Sequence, residues 1–153
     1  MCALLALSLA ACGGASSKNQ TQLANPYVDC ATLEDAAALA GFDFSLPESL
    51  LENRPQRMIR AIEKQMIEVV YKTQAGEPEL LLRKGLGEGD VSGDYNEYAQ
   101  TSTLEVNGVQ VTLKGDGQTV TVATWAKDGY AYALRAESGL EQAEVTGLVQ
   151  AAG

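Results

Sequence analysis

The sequence contains no histidine and only three cysteines among its 153 residues. Histidine is the commonest general base and metal ligand in proteins. Its absence therefore excludes the histidine-based arrangements that most hydrolases and metal centres use. No nucleophile elbow, phosphate-binding loop, kinase signature or cysteine cluster takes its place. Cys2 and Cys12 lie in the N-terminal segment, which leaves Cys30 alone in the rest of the chain. We therefore expect a protein that is not an enzyme and that has no cofactor.

Basic residues are also scarce: 11 Lys and Arg stand against 20 Asp and Glu, which gives a net charge of −9. Proteins that bind nucleic acid need a basic surface to neutralise phosphates, so we expect no nucleic acid as a partner. Adsorption to anionic lipid is disfavoured for the same reason. The charge favours cations or basic partners, although a merely soluble surface is the simpler interpretation.

The N-terminal segment is typical of a lipoprotein export signal. An apolar run over residues 3–11 ends in small residues directly before Cys12, and Gly, Ala and Ser follow. Such a run is shorter than the about 20 residues that span a bilayer, and small residues before the cut are typical of a signal peptide. We predict a signal peptide over residues 1–11. Acyl chains such as palmitate on Cys12 would then hold the protein at the extracytoplasmic face of the cell membrane.

This segment also leaves alternatives open. No Lys or Arg precedes the apolar run, although a signal peptide usually begins with a basic stretch, so a true start upstream of Met1 stays open. The other interpretation is an apolar N-terminus with a chance cysteine. Residues 12–25 have no periodic apolar face, which predicts a lipidated cysteine and a flexible tether. A single domain is predicted over residues 26–153.

Hydrophobic periodicity predicts an α+β fold for this domain, with an antiparallel sheet meander covered by an N-terminal and a C-terminal helix. The clearest signal is Asn107-Gly108, which predicts a two-residue hairpin turn with Val106 opposite Val109. Residues 56–72 fit both a helical and a strand period, and their β-branched content favours strands at 57–62 and 66–73. Further strands are predicted at 79–84, 119–125 and 130–136.

Two capping boxes predict where the helices begin. Thr32 with Asp35 starts a helix that ends at Leu39 or Ala40, before Gly41. Ser138 with Glu141 starts the C-terminal helix. The residues predicted to share the apolar side of that helix are Leu140, Ala143, Gly147, Leu148 and Ala151, with Val145 and Val149 widening this surface.

The acidic stretch between the two groups of strands is the best candidate for a metal site. Side chains with oxygen ligands recur there at every second position: Asp90, Ser92, Asp94 and Asn96. Such spacing can hold calcium, and Asp90, Asp94 and Asn96 are weak candidates. The match to a helix-loop-helix calcium loop fails, because Tyr95 and Thr101 replace its glycine and its bidentate glutamate. A turn-rich, solvated loop is the simpler interpretation.

Aromatic residues offer a second candidate surface. Trp125, Tyr130 and Tyr132, together with Tyr95 and Tyr98, can line a site for a ligand. Tyrosine and tryptophan at alternating strand positions more often fill the core between a sheet and its helices. Both interpretations stay open at this stage.

Short motifs spread over residues 25–152 carry a resemblance to a known family. They are Asn25-Pro26-Tyr27, Ala40-Gly41-Phe42, Leu46-Pro47, Leu82-Arg83-Lys84-Gly85, Asp90-Val91-Ser92-Gly93-Asp94-Tyr95-Asn96 and Ala123-Thr124-Trp125. This set resembles a domain-of-unknown-function family of exported Gram-positive lipoproteins, which also forms the outer domain of anti-sigma-factor-like membrane proteins. The resemblance implies a sensing or binding role at the cell envelope, and it implies no catalytic residues.

Two classes of function follow from these observations. The first is a membrane-anchored extracytoplasmic lipoprotein that acts as a non-catalytic sensing or protein-interaction module, with another envelope protein as partner. The alternative is a carrier or binding protein for a small apolar ligand held between the sheet and its helices. A hydrolase of cell-wall material is a weaker third option. The oligomeric state does not follow from the sequence.

Overall fold

The computed structural model describes residues 24–153. Within them lie three helices, α1 Leu33–Ala40, α2 Ser49–Asn53 and α3 Gln142–Ala151. The same part of the chain contains eight strands: β1 Val28–Cys30, β2 Gln56–Ile62, β3 Met66–Lys72, β4 Pro78–Leu86, β5 Gln100–Val106, β6 Val109–Gly115, β7 Val120–Lys127 and β8 Tyr130–Leu140. The predicted signal peptide, Cys12 and the tether as far as residue 23 lie outside the described residues. No helix within residues 24–153 is long and apolar enough to cross a membrane.

The strands of this region form one antiparallel sheet in the order β1-β2-β3-β4-β8-β7-β6-β5. The chain builds four neighbouring strands, leaves β4, and returns from the far edge so that β8 pairs with β4. The segment 87–99 between β4 and β5 must therefore pass β8, β7 and β6. The predicted α+β class with an antiparallel sheet is confirmed.

The hairpin predicted at Asn107-Gly108 is present. Val106 pairs with Val109, and Leu104 pairs with Val111. Asn107 has φ 51° and Gly108 has φ 81°, the positive values that a two-residue hairpin turn requires. The turn and the apolar pattern agree on one register, so this hairpin needs no distant contact to define it.

Helix α1 begins and ends as its sequence predicts. The Thr32 hydroxyl accepts a hydrogen bond from the Asp35 N–H at 3.1 Å, and the Asp35 carboxylate accepts one from the Thr32 N–H at 3.2 Å. Gly41 ends the helix at φ 85°, a left-handed conformation that favours glycine. Ala36 and Ala40 are buried in the core that the helix shares with the sheet.

The ambiguous residues 56–72 form the hairpin of β2 and β3, as their β-branched content favours. Strand β1 is not predicted from the sequence, because three residues carry no periodic signal. It adds to the edge of β2 by pairing Val28 with Ala61.

The prediction for the start of the C-terminal helix is wrong. Ser138 lies inside β8, whose pairing continues until Leu140 meets Val120, and α3 begins only at Gln142. Its N-cap residue, Glu141, makes no side-chain capping bond. The strand ladder therefore overrides the local Ser138 signal. The predicted apolar surface is confirmed at Val145, Leu148 and Val149, the buried residues of α3, whereas Ala143, Gly147 and Ala151 are exposed.

The two faces of the sheet carry different residues. One row of paired positions crosses the sheet through Ile59, Val69, Leu82, Leu134, Ala123 and Leu113. These residues are buried and belong to the hydrophobic core with residues of all three helices, so we call this the inner face. The next row runs through Arg60, Glu68, Arg83, Ala133, Thr124 and Thr112. Because successive side chains in a strand point to opposite sides, this row lies on the other side, the outer face.

Candidate interaction surface

Residues 87–99 lie on the outer face, and we call them the strap. The Arg83 side chain donates from Nη1 to the Val91 carbonyl oxygen at 2.9 Å. Lys114 Nζ lies 3.6 Å from Asp90 Oδ2. Arg83 is on β4 and Lys114 is on β6, so the strap is fastened to strands that lie apart in the sheet.

A buried ion cluster lies on the same face. The Glu68 side chain is fully buried, and its two carboxylate oxygens accept hydrogen bonds from Arg60 Nε and from Arg83 Nε, the latter at 2.6 Å. The Arg60 guanidinium also lies over the ring of Tyr27, 4.4 Å from its centroid. A carboxylate without solvent needs such partners, because burying an unpaired charge is costly. The cluster thus joins β2, β3 and β4 to Tyr27, which directly precedes β1, and Arg83 also binds the strap.

The strap backbone is held by a series of side-chain hydrogen bonds. Asp90 Oδ1 accepts from the Ser92 N–H at 2.8 Å, and Ser92 Oγ accepts from the Asp94 N–H at 3.2 Å. Asp94 Oδ1 in turn accepts from the Asn96 N–H at 3.0 Å. Each bond spans two residues, as in the turns that Asp and Ser form with their own backbone. This series accounts for the recurrence of oxygen-bearing side chains at every second position.

Gly93 lets the strap approach the sheet. Its φ is 64°, and a Cβ placed there would lie 2.5 Å from Arg83 Nη1. Any larger residue would therefore be strained and would also collide with the side chain that binds Val91.

The carboxylates of the strap have lowered pKa values. Partial burial works to raise the pKa of Asp90, but hydrogen bonds from Ser92 and the charge of Lys114 outweigh it. Burial also opposes the shift at Asp94, where hydrogen bonds from Asn96 and from the Tyr98 hydroxyl, the latter at 2.9 Å, lower the pKa. Both side chains are therefore anionic at neutral pH and are already engaged by protein donors.

The calcium hypothesis gains no support from this geometry. Asp94 Oδ2 accepts from both Tyr98 and the Asn96 side chain, so its oxygens have protein partners. Within residues 24–153, no three acidic or cysteine side chains converge as a metal ion would require. Calcium binding by Asp90, Asp94 and Asn96 stays a prediction.

Tyr95 is the most exposed large side chain of the strap. Its side chain is 95% exposed, whereas its neighbours on either side, Asp94 and Asn96, are held by the hydrogen bonds described above. Tyr98 is half-buried and donates to Asp94. The sequence grouped both tyrosines with the strand aromatics, but the structure places them on the opposite face. A tyrosine presented by a fixed backbone is a typical anchor for a protein partner, because little flexibility is lost on binding.

A polar cleft of ≈ 300 Å³ lies between the strap and β8. Its lining includes Asp94, Asn96, Arg135 and Glu137. Arg135 Nη2 lies 3.6 Å from Glu137 Oε1, so charges of both signs line the cleft. Sequence reasoning missed Arg135 and Glu137. The only signal was that Arg135 alternates with the apolar side of β8, which places it on the outer face.

The aromatic residues of the inner face are packed against the protein itself. Trp125 and Tyr132 stack with ring centroids 5.3 Å apart. Phe44 lies 6.3 Å from Tyr132, and Phe42 lies 5.0 Å from Tyr130. Trp125 and Tyr132 are buried, so the segment between α1 and α2 occupies the surface that we considered for a ligand. A ligand surface formed by Trp125, Tyr130 and Tyr132 stays a prediction without support from this packing.

Lys84 is the one charged residue buried among these rings in the described chain. Its Nζ donates to the Asp43 carbonyl oxygen at 2.7 Å and lies 4.5 Å from the centroid of Tyr130. Burial lowers the pKa of Lys84, and the nearby Asp43 charge opposes that shift. The lysine therefore fixes the segment that carries Phe42 and Phe44 to the sheet.

No protein-family model, curated protein or solved structure matches this chain. The resemblance to exported Gram-positive lipoproteins therefore stays a prediction.

Proposed function

We propose that this protein is an extracytoplasmic lipoprotein, anchored to the cell membrane through Cys12, that acts as a non-catalytic protein-interaction or sensing module. The surface that recognises its partner, another envelope protein, is the strap on the outer face. The proposal retains the expectation that the N-terminal and C-terminal helices cover the inner face, which leaves the outer face for binding.

The exposure of Tyr95 is the observation that carries this proposal. A monomer gains nothing in stability from a tyrosine that is 95% exposed, yet the backbone on both sides of it is fixed by hydrogen bonds. Tyrosine combines a large apolar ring with a hydroxyl, and few rotatable bonds have to be fixed when it binds. These properties suit a residue that inserts into a pocket of a partner.

The cleft between the strap and β8 adds specificity to that anchor. Arg135 and Glu137 offer a charge of each sign within reach of the strap, and Asp94 adds a carboxylate with a lowered pKa. Charged groups around a central aromatic residue fix the orientation of a partner more than they add affinity.

Crosslinking in cells tests the proposal. The full-length lipidated protein is compared with Tyr95→Ala and with Cys12→Ser, and crosslinked species are identified by mass spectrometry. We expect one dominant protein partner that is lost in both variants. The free energy of unfolding of Tyr95→Ala should stay within about 0.5 kcal/mol of the parent, because the side chain has no packing to lose.

Leu86→Ala provides the matched control. Leu86 is also a large exposed apolar residue, 53% exposed, and it directly precedes the strap. Its replacement should leave the crosslinked partner in place. A partner that is retained by Tyr95→Ala would contradict the proposed surface, and the absence of any protein partner would contradict the proposed class of function.

The alternative function, a carrier for a small apolar ligand, has one favourable observation. A groove of ≈ 330 Å³ lies between α2 and α3, and its lining includes Pro47, Leu50, Leu148 and Ala151. This volume is near the lower limit for small-molecule sites. Native mass spectrometry of protein purified from membranes tests it, since a bound apolar molecule that is displaced by Leu148→Trp would favour the carrier.

A further inference from the structure

The two edges of the sheet differ in how many unpaired backbone groups they expose. Strand β1 has only three residues, whereas β5 forms the other edge with seven, Gln100 to Val106. Long open edges offer unpaired backbone groups to other chains, and proteins usually block them with lysine, proline or a bulge. Strand β5 contains no lysine, arginine or proline, its one charged residue is Glu105, and its register with β6 shows no bulge. Its open side is therefore available for another strand.

The hairpin turn defines which backbone groups face the open side. A two-residue turn makes Val106 and Val109 a hydrogen-bonded pair, and bonded pairs alternate along an antiparallel ladder. The residues of β5 that bond to β6 are thus Val106, Leu104, Ser102 and Gln100. Those that direct their N–H and C=O groups outward are Thr101, Thr103 and Glu105. Within residues 24–153, no other group bonds to these outward atoms.

A recess beside the edge can hold a side chain of an added strand. It has a volume of ≈ 70 Å³, and its lining includes Gln100 and Ser102 of β5 with the buried Leu113 and Val120. The recess is several times larger than the about 10–15 Å³ that one water molecule needs, so it has room for a small side chain. Modules that bind peptides by strand addition use this combination of backbone bonds for affinity and a pocket for specificity.

The charges around β5 indicate the chemistry of the partner. Glu97, Glu105 and Asp116 lie at or next to this strand, and Lys114, which lies opposite Thr101 on β6, is paired with Asp90 at 3.6 Å. A second copy of this chain would bring another net charge of −9 to the contact. An extended segment with basic residues complements this edge better.

We propose that β5 binds an extended, basic segment of a protein partner as a ninth strand of the sheet. This inference rests on the proposed function as an interaction module, and it places the peptide contact at the sheet edge, separate from Tyr95. Backbone bonds at Thr101, Thr103 and Glu105 hold the segment, and one of its side chains enters the recess at Ser102.

Amide hydrogen exchange of the full chain carrying Cys12→Ser tests the inference. The probe is a short synthetic peptide of alternating threonine and valine with a lysine at each end. Its counterpart has a glutamate at each end. We expect the lysine peptide to protect the amides of Thr101, Thr103 and Glu105, and the glutamate peptide to bind more weakly. No protection on β5 would overturn the inference.

Two variants separate strand addition from adsorption by charge. Thr103→Pro removes an outward N–H without removing a bond to β6, and proline is tolerated at such edge positions. It should weaken binding of the lysine peptide about ten-fold or more, since one hydrogen bond is lost and the added strand is displaced. Glu105→Lys keeps the backbone and should reduce the preference for the lysine peptide over the glutamate peptide. Unchanged binding by Thr103→Pro would contradict strand addition.

Other outcomes distinguish this inference from the proposed function. Protection of the β5 amides that rises with protein concentration, without peptide, would identify a second copy as the occupant and overturn the inference. If Tyr95→Ala abolishes crosslinking in cells while the lysine peptide protects no amide of β5, the edge contact is wrong and the proposed function stands. If the peptide binds β5 but no protein partner is found in cells, the inference loses the function on which it rests.

Discussion

On the inner face, the row of residues that includes Val69 and Leu82 is apolar, whereas the adjacent row on the outer face carries Glu68 and Arg83. The same strands supply both rows. The inner face is closed by the protein's own aromatic and aliphatic side chains, so it presents few groups to a partner. The outer face is closed by ion pairs and hydrogen bonds to a strap. Directional contacts of this kind hold a loop in one conformation, and they leave Tyr95 exposed.

The two faces also contribute differently to folding. Burial of an apolar side chain such as Leu82 or Leu134 stabilises the fold by about 1.5–3 kcal/mol. A buried ion cluster adds little net stability compared with a well-packed apolar core, but removing one member leaves the others with uncompensated charge. We therefore assign most of the folding free energy to the inner face and the fixed position of the strap to the outer face.

Replacement of Glu68 should have the largest effect on stability, because it removes the centre of the ion cluster on the outer face. Glu68→Leu leaves Arg60 and Arg83 without their carboxylate in a buried site. We expect a loss of about 3–5 kcal/mol in the free energy of unfolding, measured by urea denaturation at pH 7 of the chain carrying Cys12→Ser. The strap should loosen, because Arg83 no longer has a fixed position from which to bind Val91.

Glu63→Gln is the matched control for that change. Glu63 forms an ion pair with Lys64 at 3.7 Å, and both side chains are largely exposed. Its replacement should alter stability by less than about 0.5 kcal/mol. If Glu68→Leu were as mild as Glu63→Gln, the ion cluster would have no role in holding the outer face together.

The features that the sequence predicts correctly depend on residues that lie close together in the sequence. The turn at Asn107-Gly108 requires positive φ at two adjacent positions, and the Thr32–Asp35 capping box lies within one helical turn. Apolar alternation then defines the strands next to each turn. Local chemistry of this kind is sufficient to predict most of the hairpins and the first helix.

The features that the sequence does not predict depend on the order of strands in the sheet. Glu68 and Arg83 become neighbours only through the pairing of β3 with β4. The strap crosses the outer face only because β8 returns beside β4. Ser138 carries a helix-start signal, but the pairing of Leu140 with Val120 keeps it in a strand. The acidic spacing of the strap also suggested a metal site, whereas in the structure the same side chains accept hydrogen bonds from backbone N–H groups two residues further along the strap.

Replacement of Asp94 should have a smaller effect on stability, and this effect should depend on pH. Its pKa lies below the ordinary value of 3.8 despite some burial, because Asn96 and Tyr98 donate to its carboxylate. A lowered folded-state pKa stabilises the fold above the ordinary pKa, and this contribution is lost as the pH falls through the folded-state pKa. We expect Asp94→Asn to lose about 1 kcal/mol at pH 7, measured by urea denaturation, and to approach the parent below about pH 3.

Asp29→Asn controls for the loss of one negative charge, because Asp29 is exposed on the edge strand β1. Its free energy of unfolding should follow that of the parent more closely than Asp94→Asn does at pH 7. A difference between Asp94→Asn and the parent that persisted at low pH would mean that the side chain acts through its shape rather than through its charge.

Replacement of Lys84 should have the smallest effect on stability. It tests whether a buried charge contributes less to stability on the inner face than on the outer face. Lys84→Met keeps an unbranched side chain among the aromatic rings and loses the hydrogen bond to the Asp43 carbonyl. The loss of that bond is offset because no charge has to be buried, so we expect a change of less than about 1 kcal/mol at pH 7. Lys64→Met, at a largely exposed side chain, controls for the removal of one positive charge.

The pH dependence gives the sign of the Lys84 effect. Burial lowers its pKa below the ordinary 10.5, so in the pH range between the two values the unfolded chain binds more protons than the folded chain. The free energy of unfolding then rises with pH in that range. The parent should therefore become more stable relative to Lys84→Met as the pH approaches 10.5. Urea denaturation at a series of alkaline pH values measures this gain. If Lys84→Met instead lost as much stability at pH 7 as Glu68→Leu, the inner face would depend on its buried charge as strongly as the outer face does.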